Sequence, residues 1–168
     1  VGTDYCYVNY DLKQYFSVGL FGTNARGDAV GRTESARALA WLISDQGTWR
    51  QNRIAVVGDA SDEIRHIIQD FVDIEIEAEL MLLDIDGLES VESALAIQPD
   101  STFLHLCELA IHLRRPHLTT MLCDRFGKDW QDRYLQQMRT EVKRDPTFRT
   151  WHVQKVIDAK HRSLRIFG

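Results

Sequence analysis

The sequence predicts an α/β or α+β fold: a small N-terminal mixed sheet with helices, followed by a helical C-terminal portion packed on it. Three observations carry this. Aromatic and β-branched runs divided by turn residues occupy the N-terminal third, an Ala/Leu segment with helical spacing lies between two of them, and from Leu88 onward only helical periodicity remains. A chain of 168 residues, 44% hydrophobic and 27% charged, is long enough to bury a core without staples. It is expected to be a single domain, 1–168, with an α/β portion over 1–87 and a helical portion over 88–168.

The opening "YCYVNYDLKQYFSVGLFG" is dense in Tyr, Phe and Val and predicts one or two strands, and "GTNARGDAVG" supplies the loop after them. Thr33 before Glu34 places a hydroxyl cap ahead of Ala36, Leu39, Ala40 and Ile43, which predicts a helix closing near Gly47. "NRIAVVGD" is a β-branched run between polar residues and reads as a buried central strand. "SDEIRHIIQDFV" puts Ile64, Ile67, Ile68 and Phe71 on one helical face, with Ser61 or Asp59 as the cap.

"DIEIEAELMLLDIDG" alternates at first, Ile74, Ile76, Ala78 and Leu80 against Glu75, Glu77 and Glu79, and predicts a half-buried strand. Helix is the competing reading, since Glu, Ala and Leu are good helix formers. Helical segments follow: "LESVESALAI" up to Pro99, "STFLHLCELAIHLRR" up to Pro116, then "HLTTMLCDRF", "WQDRYLQQMRTEVKR" and "TWHVQKVIDAKHRSLRIF".

Several classes are disfavoured. Cys6, Cys107 and Cys123 are odd in number and contain no C-x-x-C pair, so neither a disulfide framework nor a zinc ribbon is indicated. A reducing cytoplasm suits them. "VGTDYCYVNY" has no basic leader or apolar core, and the apolar runs fall well short of the roughly 18 residues of a membrane span. The net charge of −5 is divided unevenly: residues 1–100 carry 7 Lys+Arg against 18 Asp+Glu, residues 101–168 carry 13 against 7. The halves either attract each other or face different partners.

Chemistry-bearing motifs are sparse. "GDASD" resembles the G-D-x-x-D box of calcineurin-like metallophosphoesterases, in which Asp59 would ligate a metal. The D-x-H and G-N-H partners of that box are missing, and the stretch contains no G-x-G-x-x-G or G-K-[ST]. A strand-to-helix turn is the preferred reading, with metal-dependent phosphoester hydrolysis as an alternative. His105, Glu108 and His112 fall on one helical stripe, but the two histidines are about 10 Å apart along the axis, too far to chelate one ion. No metal site or other cofactor is assigned. No G-x-S-x-G is present, so no catalytic residue is named. Trp41, Trp49, Trp130 and Trp151 read as core or interface anchors. Arg144, Arg149, Lys155, Lys160, Arg162 and Arg165 with Phe148 and Trp151 raise nucleic-acid binding as a further alternative. Interspersed Asp145 and Asp158 favour a solvated helix face instead.

The acidic edge is the strongest candidate. As a strand, 74–80 would present Glu75, Glu77 and Glu79 side by side at intervals of about 6.5–7 Å. Asp73, Asp84 and Asp86 are close in sequence, and Asp59 and Asp62 of the preceding turn complete the predicted partner-binding set. Adjacent like charges are costly unless solvated or met by a basic partner.

The segments "YVNYDLKQYF", "ALAWLI" and "WRQNRIAVVGD" together resemble a group of small bacterial proteins. These combine an aromatic strand, an Ala/Leu helix and a W-x-x-x-R-I-x-V-x-G-D segment. The chain keeps Asn9, Lys13, Tyr15, Trp49, Arg53, Gly58 and Asp59 of that pattern, over about the first 60 residues. Some members look like immunity or antitoxin proteins, which implies a protein partner. The expected function is therefore a cytoplasmic protein-binding module, an immunity protein that neutralises a basic toxin through an acidic surface.

Overall fold

Asn9 turns the first hairpin. Strands β1 (Tyr5–Asn9) and β2 (Gln14–Ser17) pair antiparallel, and the Asn9 side-chain oxygen accepts the Asp11 and Leu12 N–H groups, each at 3.0 Å. An Asx turn of this kind satisfies backbone donors that the loop would otherwise leave open. The Asn9 amide in turn donates to Asn52 Oδ1. The computed structural model describes residues 3–167, without the side chains of residues 116, 148–152 and 163–167.

The chain forms an α+β fold with a four-stranded mixed sheet of order β3-β1-β2-β4. β3 (Ile54–Gly58) joins β1 antiparallel and the short β4 (Val72–Asp73) joins β2 parallel. The β-branched run is thus an edge strand and not the central one its composition suggests. Val57 is buried with Cys6 and Val8 beneath Ile64 and Ile67 of α2 (Ile64–Asp70) and Phe71 just after it, whereas Val56 points the other way and is 46% exposed. Covering one face is enough to require apolar residues there, and it leaves the strand's outer edge free to be terminal. The face carrying Tyr7 and Phe16 stacks on Trp49, which is fully buried and donates its indole N–H to Gln14.

Helix α1 (Thr33–Ile43) packs with α3 (Glu75–Asp86) and α4 (Glu89–Ile97), and α3 packs on β2. The caps differ from the expected ones. Arg32 and Glu63 hold the N-cap positions of α1 and α2, and no side chain caps either helix; Thr33 is already helical. Ser35 bonds back to the Ala29 and Arg32 carbonyls instead.

The strand expected over 74–80 is corrected: the segment from Glu75 is helical. Its buried residues, Glu75, Ile76, Ala78, Glu79 and Leu82, follow a 3.6-residue period, and Asp73 Oδ1 accepts the Glu75 N–H at 2.9 Å as the helix begins. Good helix formers from Glu75 to Leu83 overrode a seven-residue alternation that only local pattern supported.

The chain divides into two compact units, 1–97 and 98–168, so α4 belongs with the sheet and the division falls ten residues beyond the expected internal boundary at 87/88. The second unit is helical: α5 (Pro99–Leu113) packs with α6 (Pro116–Phe126), α7 (Trp130–Arg144) and α8 (Phe148–Phe167). Pro99 and Pro116 each occupy the first helical position, where the missing N–H costs nothing, so each proline both ends one helix and starts the next. Among the described residues no helix is long and apolar enough to cross a membrane.

Candidate functional site

The predicted acidic surface disperses once 75–86 is helical. Glu79 is fully buried, with Oε1 accepting the Phe21 N–H at 3.0 Å, and Glu75 is 7% exposed. Their assignment as side-by-side partner contacts is thereby corrected: burial of these carboxylates serves the fold. Glu77 and Asp73 are half-buried, and Asp73 is committed to the start of α3. Asp84 is exposed on α3, and Asp59 and Asp62 are exposed in the β3–α2 turn. Asp86 alone of the set enters a defined concavity.

That concavity is a groove of about 660 Å³ in the N-terminal unit. One wall is the α1 face bearing Arg37, Ala40, Trp41 and Ser44; the other bears Leu82, Ile85 and Asp86 of α3 with Glu89 of α4. The α1 residues, and Leu82, Ile85 and Asp86 of α3, step by three or four residues, the spacing that brings side chains onto one helical face, and Glu89 joins them from the start of α4. Ala40, Trp41, Leu82 and Ile85 make the interior apolar, and Asp45, Asp86 and Glu89 set acids on its rim. Ile43 on α1, Ile85 on α3 and Leu88 in the turn between α3 and α4 are each more than 40% exposed.

Arg37 organises the polar end. Its guanidinium reaches Asp86 Oδ2 at 3.2 Å and Glu89 Oε1, and Ser90 Oγ also donates to Asp86 Oδ2. These bonds to Glu89 and Asp86 raise the Arg37 pKa above its usual value, and the same Arg37 contact holds the Glu89 carboxyl below the usual carboxylate range. The Asp86 side chain is only 10% exposed, and its Oδ1 is buried without a hydrogen-bond partner. That oxygen is a buried acceptor closed off from the groove surface, and buried polar atoms in folded proteins are seldom left so.

The "GDASD" turn gathers no chemistry. A Cβ on Gly58 would lie 2.7 Å from Thr3 Cγ2 and 3.1 Å from the Tyr5 ring, so glycine is set there by packing. The Asp59 N–H donates to the Asp4 carbonyl. Among the described residues no three His, Cys, Asp or Glu side chains are placed to hold a metal ion. The other residues of the family-like pattern are structural too. Arg53 clasps Asp11 through its backbone N–H and Nε, each at 2.8 Å, Tyr15 packs against the Cys6–Val8 cluster, and the Lys13 carbonyl receives the Val72 N–H.

In the helical unit the His105–Glu108–His112 stripe holds a buried carboxylate. Glu108 accepts from Tyr134 Oη and pairs with His112 Nε2 at 3.0 Å, which ties α5 to α7. Of the basic set, Arg144 is exposed and pairs with Glu141, and Lys160 is exposed; the side chains of Phe148, Arg149, Trp151 and Arg165 lie outside the described residues. Comparison with protein-family models, curated proteins and solved structures finds no match to the chain.

Arg37, Asp45 and Glu89 were not among the residues singled out from sequence. The available signal was the repeat Arg37, Ala40, Trp41, Ser44, which places a tryptophan beside small and polar residues on a face that a buried helix would fill with Leu or Ile.

Proposed function

We propose that the chain is a protein-binding module whose partner surface lies on the N-terminal unit. The observation that carries this reading is the groove itself: an apolar interior containing Trp41, open to solvent and rimmed by charge. Aromatic anchors within a polar rim are the anatomy of energetic hot spots, and Trp41 beside Leu82 and Ile85 within charged residues has that arrangement. Residues 1–97 hold 17 Asp+Glu against 7 Lys+Arg, which favours a basic partner and speeds its encounter. A cytoplasmic immunity protein that neutralises a basic toxin is the specific form of this reading, with Asp59, Asp62 and Asp84 available as exposed steering charges. Among the described residues, the hydrolase and nucleic-acid readings have no comparable assembled surface in support.

The test is affinity capture from native cells after brief cross-linking, followed by reconstitution from purified components. The expected result is a basic protein that forms a stoichiometric complex, with association slowed by added salt. A chain that captures no protein and instead shows metal-dependent phosphoesterase activity abolished by Asp59→Asn would overturn the proposal.

A further inference from the structure

We propose that β3 pairs antiparallel with β3 of a second copy of the chain, about a two-fold axis at Val56, and so joins two four-stranded sheets into one. The pairing with β1 fixes which way the strand's backbone points. Tyr10 N–H donates to the Arg53 carbonyl and Asp59 N–H to the Asp4 carbonyl, so Arg53, Ala55, Val57 and Asp59 turn their backbone groups toward β1. Ile54, Val56 and Gly58 turn theirs outward. Among the described residues no backbone bond engages the N–H or carbonyl of Ile54 or Val56, and the Gly58 carbonyl accepts the Ser61 N–H. The two edges of the sheet differ. β4 is two residues long, whereas β3 pairs through five consecutive positions without a bulge and holds no charge or proline. Short strands, charges, prolines and bulges are the devices that keep an edge from pairing, and β3 has none of them.

The occupant follows from the register. Setting Val56 opposite Val56 of the second copy places Ile54 opposite Gly58 and Arg53 opposite Asp59, on both sides of the axis. Each outward N–H of Val56 then meets a Val56 carbonyl, and each Gly58 N–H an Ile54 carbonyl. The exposed valines become a β-branched cross-strand pair. Arg53 against Asp59 is a match of opposite charges, made twice. Asp59 is exposed and, among the described residues, in no ion pair. Arg53 holds Asp11 through Nε on a side chain that is 77% exposed, which leaves its terminal nitrogens available. Moving the axis to Ala55 or Val57 removes both charge pairs and shortens the ladder. Five residues a side make a small interface, so the dimer is concentration-dependent and not permanent. It uses none of the groove residues, and it holds or fails independently of the partner surface.

The test is sedimentation velocity on the full chain over a concentration series, with circular dichroism confirming the fold of each variant. The wild type is expected to pass from monomer to dimer as concentration rises. Val56→Lys, which sets like charges at the axis, is expected to weaken the dimer at least tenfold. Arg53→Asp and Asp59→Arg are each expected to weaken it severalfold, and the two together to restore most of the loss. A second measurement reads the register directly. In a Cys123→Ser background, which removes the half-buried thiol, Val56→Cys is expected to cross-link copies on mild oxidation faster than Ile68→Cys, an exposed position on α2. A wild-type chain still monomeric at about 1 mM would overturn the inference. So would a dimer indifferent to Val56→Lys, a double charge exchange that restores nothing, or equal cross-linking at the two cysteine positions. A dimer dissociated by Ala40→Arg, at an exposed position on the α1 wall of the groove, would also overturn it, because the second copy would then occupy the groove.

Discussion

Glu79 Oε1 accepts the backbone N–H of Phe21 at 3.0 Å, joining α3 to a loop 58 residues earlier, with both residues fully buried. Phe21 has a φ of 55°, a left-handed conformation that costs free energy for a bulky residue and persists only where its surroundings over-determine it. The carboxylate is part of what holds it.

Removing that acceptor leaves a buried N–H unpaired. Glu79→Ala is expected to lower unfolding free energy by about 2 kcal/mol or more, measured by urea denaturation. Asp62→Ala, in the exposed turn, is expected to change it by less than about 0.5 kcal/mol. Equal effects of the two would mean that the acidic residues of this unit are not divided into buried and surface roles.

Gly47 has no room for a side chain. A Cβ there would stand 2.1 Å from the Leu42 carbonyl oxygen, which is backbone and cannot swing away. Gly47→Ala is expected to cost at least about 2 kcal/mol, whereas Asp59→Asn in the phosphatase-like turn leaves stability within about 0.5 kcal/mol. Thermal unfolding followed by circular dichroism separates the two.

Tyr134 donates to the buried carboxylate of Glu108, which also pairs with His112. Tyr134→Phe keeps the ring and deletes the donor. The expected loss is about 2 kcal/mol, since hydrogen bonds to charged groups are the stronger kind. Stability equal to wild type would show that the carboxylate is satisfied without Tyr134.

Burial pushes the Cys6 thiol up to about 11 and the Cys107 thiol up to about 12. A group whose folded pKa lies above its unfolded value adds stability that is complete below the unfolded pKa and is lost as pH rises through the folded one. Stability is therefore expected to fall above about pH 9, near the unfolded thiol value, and Cys107→Ala should flatten part of that decline. Alkylation at neutral pH is expected to label the half-buried Cys123 first. On the acid side the signs reverse. Asp11, held below the usual carboxylate range by hydrogen bonds from Arg53, and Glu89, held there by Arg37, contribute above the unfolded carboxylate pKa. That contribution is lost as pH falls through their folded values.

Much of the fold was legible because it is local. The first strands follow from their density of aromatic and β-branched residues, and the helices of the second unit follow from their periodicity, with Pro99 and Pro116 marking the starts of α5 and α6. The errors arose where the deciding partner is distant. The alternation from Ile74 to Leu80 resembles a strand until Phe21 and β2 supply an environment that rewards a 3.6-residue period. Val56 resembles a central-strand residue because nothing in its neighbourhood records how many strands lie beyond it. The groove was illegible for the same reason: α1 and α3 must be brought together before Arg37, Trp41, Asp86 and Glu89 share a surface.

The most direct measurement is the affinity of the purified native partner for the wild-type chain and for Ala40→Arg, with circular dichroism confirming that both are folded. The expected result is a loss of at least tenfold in Ala40→Arg, carried mainly by faster dissociation as apolar contact in the groove is removed. Equal affinities for the two chains would contradict the assignment of the groove as the partner surface.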